Sequence, residues 1–370
     1  MISPVFPRPL RVVWVLLTLA AMTLGASAAS QRLLYVAVPG IRNYLEFGGH
    51  GVLVFDIDGG YRCLRRLPGF GLGKDGRPLN VRGICASAAT GRLYVSSLET
   101  LACLDLGTER WLWEKRYEGG CDRMAVTPDG RLLFVPSLEK SHWNVVDAAT
   151  GEVLKRLDGH RAAHNTIVGL DGRRAYLADR FSPALTVVDV GERREVARVG
   201  PFADAIRPFT IDGRQQRVYV CVDNLLGFEV GDLSTGRKVW RVEVQGFSQG
   251  PVKRHACPSH GVGLTPDERE VWVTDGANER LHVFDNTVAP PSQVASIRLR
   301  EQPGWVTFRR DGVHAWPSTG EVIEVASRRI VAALSDETGA AVHSEKMVEV
   351  HREGARIVQV GDSFGLGRVR

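Results

Sequence analysis

The sequence predicts an all-β fold, a seven-bladed β-propeller of four-stranded antiparallel blades. Three observations carry this. An aromatic-centred strand recurs seven times, an acidic residue closes a later strand of each unit, and glycine-bearing turns fall between the strands. A small antiparallel sheet cannot bury both of its faces alone. Packed radially, each sheet covers the next, and repeats of roughly 40–50 residues are typical of propeller blades.

The aromatic-centred strand reads Leu34-Tyr35-Val36, Leu93-Tyr94-Val95, Leu133-Phe134-Val135, Ala175-Tyr176-Leu177, Val218-Tyr219-Val220, Val271-Trp272-Val273 and Ala315-Trp316-Pro317. The acidic residues are Asp56, Asp105, Asp147, Asp189, Asp232, Asp285 and Glu324, spaced by 49, 42, 42, 43, 53 and 39 residues. Turns precede the aromatic strands at Thr127-Pro128-Asp129-Gly130, Asp171-Gly172, Asp212-Gly213, Thr265-Pro266-Asp267-Glu268 and Asp311-Gly312. Asp-Gly supplies the positive φ that a tight hairpin demands. Ala149-Thr150-Gly151 and Ser234-Thr235-Gly236 do the same after the acidic residue.

Ring closure is readable as well. The first unit opens near Gln31 with its aromatic strand and has no strand before it. Lys346-Met347-Val348-Glu349-Val350-His351 is placed to supply that missing inner strand, and closure removes the open edges that invite aggregation. The pattern Arg356-Ile357-Val358-Gln359-Val360 predicts one more strand. One domain is expected over residues 31–362, with a tail at 363–370.

The first 28 residues read as a cleaved signal peptide. Arg8 and Arg11 form the basic region, Val12 to Leu24 the apolar one, and Ala26-Ser27-Ala28 the cleavage pattern. Thirteen apolar residues fall short of the ~20 that span a bilayer. No later segment is long and apolar enough to cross one, so a soluble periplasmic or secreted monomer is expected. Removal of Arg8 and Arg11 lowers the formal net charge from +5 to +3. The remaining basic residues are scattered, which disfavours nucleic acid as a partner.

Composition is ordinary for a globular chain, with 24% charged residues, 40 Gly and 18 Pro, which excludes long disorder and collagen. The six cysteines (63, 85, 103, 121, 221 and 257) form no Cys-x-x-Cys pair. Export permits disulfides, but several of these cysteines sit in apolar strand patterns, where buried free thiols are equally expected.

The Leu-Tyr-Val strands, the Thr-Pro-Asp-Gly turn and the Val-Val-Asp…Thr-Gly ending resemble the bacterial and archaeal YVTN-repeat propellers, often termed YncE-like. The resemblance covers about Gln31 to Asp362. Ser259-His260-Gly261-Val262-Gly263-Leu264 and Gly361-Asp362-Ser363-Phe364-Gly365 also look like recurring features of these proteins. Gly231, Pro317 and Glu324 depart from the strict repeat. The resemblance implies an exported propeller that binds ligands or partners. It assigns no reaction, because one fold hosts many functions.

Residues just before each inner strand face the channel mouth, where propellers usually bind. In chain order these are Arg82, Asp122-Arg123, His164-Asn165, Arg207, His260, Trp305 and His343. His164, His260 and His343 are candidate ligands for Zn or Cu, with His255 and Cys257 as further donors. Arg82, Arg123 and Arg207 are candidates to bind a carboxylate or phosphate, with Trp305 as a stacking surface. Pairing of these arginines with Asp122 or Asp204 is the competing structural reading. Asp122, Asp204 and Glu345 are the acids near the mouth, and no motif pairs them for catalysis.

Three insertions offer loops for function: Pro39–Gly51, the glycine-rich Gly69–Gly76 and Phe247–Ser259. Gly69–Gly76 lacks the strand-to-helix context of a phosphate loop. The sequence therefore predicts an exported, non-catalytic binding propeller that presents its mouth to a small anionic ligand or a protein partner. The alternative is a redox-associated propeller holding a metal or haem-like group at the mouth histidines.

Overall fold

The computed structural model describes residues 1–4, 30–138, 140–251 and 257–369. Residues 5–29, which hold Arg8, Arg11 and the expected cleavage site after Ala28, lie outside the described residues, as do Lys253, Arg254 and His255. Among the described residues no helix is long and apolar enough to cross a membrane.

Seven antiparallel sheets form seven blades, six of them with four strands each. Blade one has five, because Arg356–Val360 adds beyond the inner strand Met347–Glu353. The expected seam is present. Met347–Glu353 pairs with Ser30–Val38, from Ser30 opposite Glu353 to Val36 opposite Met347. The inner strands of blades two to seven begin at Val81, Ala125, Ala163, Ile206, Val262 and Val306.

The repeated residues do identifiable work. Each acidic residue ends the third strand of its blade, and six of the seven accept backbone N–H bonds from the turn that follows. Asp105 takes the Thr108 amide at 2.7 Å, Asp147 the Ala149 and Thr150 amides, and Asp232 the Ser234 and Thr235 amides. Asp56, Asp189 and Asp285 act alike, while Glu324 accepts the Ser327 hydroxyl. A short carboxylate reaching its own turn offers the local bonds that fix a tight outer hairpin.

The aromatic residues of the second strands are buried, and the polar ends of five of them latch onto the next blade. Tyr35 donates to Glu109, Tyr94 to the Ala148 carbonyl, Tyr176 to Gln215 and Tyr219 to Asn286. Trp316 of blade seven donates to Tyr61 of blade one, so the same device crosses the seam. A buried aromatic combines a large apolar area with a hydroxyl or indole N–H that must find a partner, and the neighbouring turn supplies it.

The turn chemistry holds with one exception. Gly130, Gly172 and Gly312 take φ of 71°, 71° and 77°. In the Asp212-Gly213 turn it is Gln215 that is left-handed, at φ 56°. Gly213 serves a different need, because a Cβ there would lie 2.4 Å from the Val369 carbonyl oxygen.

That contact belongs to a segment that sequence reading placed outside the propeller. Residues 363–369 run through the central channel. Ser363 donates to the Ile84 carbonyl of blade two and accepts from the Trp305 indole of blade seven. The Gly365 carbonyl accepts from Leu264 N–H and the Thr210 hydroxyl, and Gly367 N–H reaches Ile211. Phe364 and Leu366 join the apolar core of blades four and five.

Candidate binding site at the channel mouth

The inner strands run in the same direction around the ring, so the residue at each strand head lies at one end of the channel. Arg82 stands at the head of blade two, and its Nε and Nη2 grip Asp122 of blade three at 3.1 and 2.9 Å. His164 of blade four lies on the other side of that carboxylate, with Nδ1 at 2.7 Å from Asp122 Oδ2. Asp122 is fully buried. Burial alone would push its carboxyl up, but Arg82 and His164 outweigh burial and hold it well below the ordinary carboxylate range. An ionised carboxylate only accepts, so His164 Nδ1 carries the proton of that bond.

Arg123 crosses the channel. From blade three its guanidinium pairs with Glu345, at the head of blade one, and lies over the Trp305 ring of blade seven, 3.6 Å from its centre. Lys346 completes the group, donating to Glu345 at 2.9 Å and to the Gly40 carbonyl at 2.7 Å. Burial, with Arg123 close by, pulls the Lys346 ammonium down to about 7, and Glu345 only partly restores it.

The remaining sequence candidates are placed separately. Arg207 forms a bidentate pair with Asp223, at 2.5 and 2.7 Å, and Asp204 instead accepts from the Asn224 amide. His260 Nδ1 donates to the Gly304 carbonyl at 3.2 Å. His343 stacks on Phe47 of the Pro39–Gly51 loop, with ring centres 4.1 Å apart, and accepts from Arg300. The mouth loop is thus used to pack a histidine.

These placements answer the sequence expectations in turn. The three arginines do gather near the mouth, each already paired with a carboxylate. Trp305 is not an open stacking surface, since Arg123 covers its face and its N–H is bonded to Ser363. His164, His260 and His343 each keep separate partners. Among the described residues no group of three or more His, Cys, Asp or Glu is placed to hold a metal ion. Glu345 and Lys346 are central, and sequence reading gave them minor parts, an unpaired acid and a strand residue. Gly69–Gly76 packs its buried Phe70 against Trp111, 4.9 Å between ring centres. All six cysteines are free thiols, and four of them are buried.

The arrangement is a buried, charge-rich plug. Arg82, Arg123 and Lys346 stand with Asp122 and Glu345, and Arg207 pairs apart from them with Asp223. The Arg82 side chain is 20% exposed and Arg123 6%, so Arg82 is the cation of the central group that meets solvent.

No protein-family model matches the chain, and no curated protein matches it. Among solved structures it is similar to Kuenenia stuttgartiensis hydrazine synthase, at 15% identity over 67% of this chain and 93% of that chain, with a TM-score of 0.45.

Proposed function

We propose that the chain is an exported, non-catalytic binding propeller of the YVTN-repeat, YncE-like kind, and that its channel mouth takes a small anionic ligand. The observation that carries this reading is the set of basic side chains at the mouth, Arg82 meeting solvent with Arg123 and Lys346 buried beside it. The planar fork of a guanidinium matches the geometry of a carboxylate or phosphate. Lys346, held near neutrality, would gain a proton as an anion arrives, so binding would tighten as pH falls through about 7.

The test is calorimetric titration of the purified chain with succinate and with inorganic phosphate at pH 6 and pH 8. Tighter binding at pH 6, lost in Arg82→Ala with the fold retained, supports the reading. Absence of saturable binding by either anion at both pH values removes the anionic ligand and leaves a protein partner as the occupant of the mouth.

A further inference from the structure

The outer half of blade six carries a serine, a histidine and an aspartate in one hydrogen-bonded row. Strands Arg280–Asp285 and Ser292–Arg298 pair with His282 opposite Ser296. The register then shifts, so that Phe284 stands opposite Gln293. Side chains two apart on a strand share a face, and those directly opposite share it too. His282, Phe284, Gln293 and Ser296 therefore lie on one face, and the bulge keeps Gln293 on it. A groove of about 480 Å³ opens there against the outer strand of blade five, with Gln245, Phe284, Pro290 and Gln293 in its wall.

The polarity of the row is set at its two ends. Asp275 closes the second strand of the blade, and its oxygens accept from Asn278, from the backbone N–H at 2.9 Å and the side-chain amide at 2.7 Å. Its Oδ2 also lies 3.1 Å from His282 Nε2. A carboxylate only accepts, so Nε2 carries the ring proton. Nδ1 is then bare, and at 2.8 Å it accepts the Ser296 hydroxyl. At the other end the Gln293 amide is locked onto the backbone of Gln245. Its oxygen accepts the Gln245 N–H at 2.8 Å, and its nitrogen donates to the Gln245 carbonyl at 3.2 Å. The same nitrogen donates to Ser296 Oγ at 3.3 Å. His282 and Asp275 are fully buried, and Phe247 lies against the imidazole with ring centres 4.9 Å apart. Ser296 is partly exposed.

We propose that Ser296 is an activated nucleophile that accepts the acyl group of a small ester lying in this groove. A hydroxyl is a weak nucleophile until a base within hydrogen-bond reach takes its proton, and a third group holds that base in the right tautomer. His282 and Asp275 fill those two parts. The ring nitrogens are used in the reverse of the serine-protease order, but roles and geometry define such a set. In the step, Ser296 Oγ bonds to the carbonyl carbon and its proton passes to His282 Nδ1. The carbon–oxygen bond to the leaving alkoxide breaks, and the alkoxide takes that proton. The Gln293 amide beside Oγ is the donor for the negative carbonyl oxygen. The groove volume lies within the range of small-molecule sites, roughly 300–1,000 Å³. The product is an acyl-serine, a single transfer to the protein. The inference goes beyond the binding reading of the mouth and uses none of its residues.

The test is covalent labelling of the purified chain with p-nitrophenyl acetate and with a fluorophosphonate, located by peptide mass spectrometry. A thermal melt confirms that each variant is folded. Wild type is expected to carry the acetyl or phosphonyl group on Ser296, and Ser296→Ala to lose it. His282→Gln should label about a hundredfold more slowly, the low end of what a positioned base supplies. Gln293→Ala, a change on the groove wall that leaves the buried pair in place, should slow labelling by about a hundredfold as well. Asp275 is a positioning residue, and its signature is spectroscopic. The imidazole N–H proton that it holds should give a low-field proton NMR resonance that vanishes in Asp275→Asn. The proposal fails if neither reagent labels Ser296 in folded wild type. It fails equally if folded His282→Gln or folded Gln293→Ala labels at the wild-type rate, which would make the row purely structural.

Discussion

Arg123 and Trp305 meet across the central channel, the guanidinium of blade three lying 3.6 Å from the ring centre of blade seven. The contact joins two blades that are not neighbours, and it stands on a buried ion pair with Glu345. Replacing Arg123 by Met keeps most of the stacking bulk but leaves the buried Glu345 carboxylate without its arginine. Breaking one side of a buried pair costs about 3–5 kcal/mol. Urea unfolding should show that loss, and a change in native tryptophan fluorescence should report the uncovered Trp305. A variant as stable as wild type would mean that the plug relaxes.

Asp122 ties Arg82 to His164, and its carboxyl is held below the ordinary range. A carboxylate with a depressed native pKa adds stability that is present above its unfolded value, near 3.9, and is lost as pH falls through the native value. Asp122→Asn should therefore cost stability at pH 7, and the gap to wild type should narrow progressively below about pH 4. Paired thermal melts between pH 3 and pH 7 measure it. A gap that is flat with pH would refute the charge argument.

Lys346 gives the opposite signature. Its native value of about 7 lies below the ordinary lysine value of 10.5, so between these two pH values the unfolded chain binds the extra proton and stability rises with pH. Below pH 7 the ammonium is charged in both states and the burial penalty is complete. The stability of Lys346→Met relative to wild type should be greatest below about pH 7 and should decline steadily toward pH 10. A difference that grows with pH would be inconsistent with a buried, neutralising lysine.

Gly365 is left-handed at φ 62°, and a Cβ on it would lie 2.8 Å from the Gly263 α-carbon. Gly339 is also left-handed, at φ 88°, with nothing within 4 Å. The pair separates crowding from backbone strain. Gly339→Ala should cost about 1 kcal/mol, and Gly365→Ala clearly more, because the channel segment must also shift. Chemical denaturation of both variants decides it, and equal costs would mean that the close approach is slack.

The six thiols are free, and burial pushes Cys103 up to about 12. A buried, protonated thiol is a poor nucleophile. A disulfide-exchange reagent should leave the four buried cysteines unreacted in the native protein. It should count six thiols in denaturant without prior reduction. Fewer than six would show that a bridge forms.

The fold was legible because its signals are local. A carboxylate caps a turn two or three residues away, and a glycine takes a left-handed angle within its own hairpin, so each repeat announces itself in a few residues. The mouth was half legible. Strand heads converge by topology, which located Arg82, Arg123 and His164 and left open the pairing of Arg82 and His164 with Asp122. Glu345 and Arg123 are 222 residues apart, and nothing near either one signals the other. The path of residues 363–369 was hidden for the same reason. Its trace is the glycine in Val262-Gly263-Leu264, which makes room for Gly365 on the opposing backbone.

The seam of blade one pairs Ser30–Val38 with Met347–Glu353, and the Ser30 hydroxyl meets the His351 ring across 321 residues of chain. During synthesis the first of these strands exists, with one edge bare, until six further blades have been made. Loop closure over such a span is the slowest kind of pairing. A second copy presents the same complementary strand, and at high concentration it arrives sooner than the chain's own. Strand exchange between two rings is then the natural by-product of crowded refolding, and dilution is its remedy.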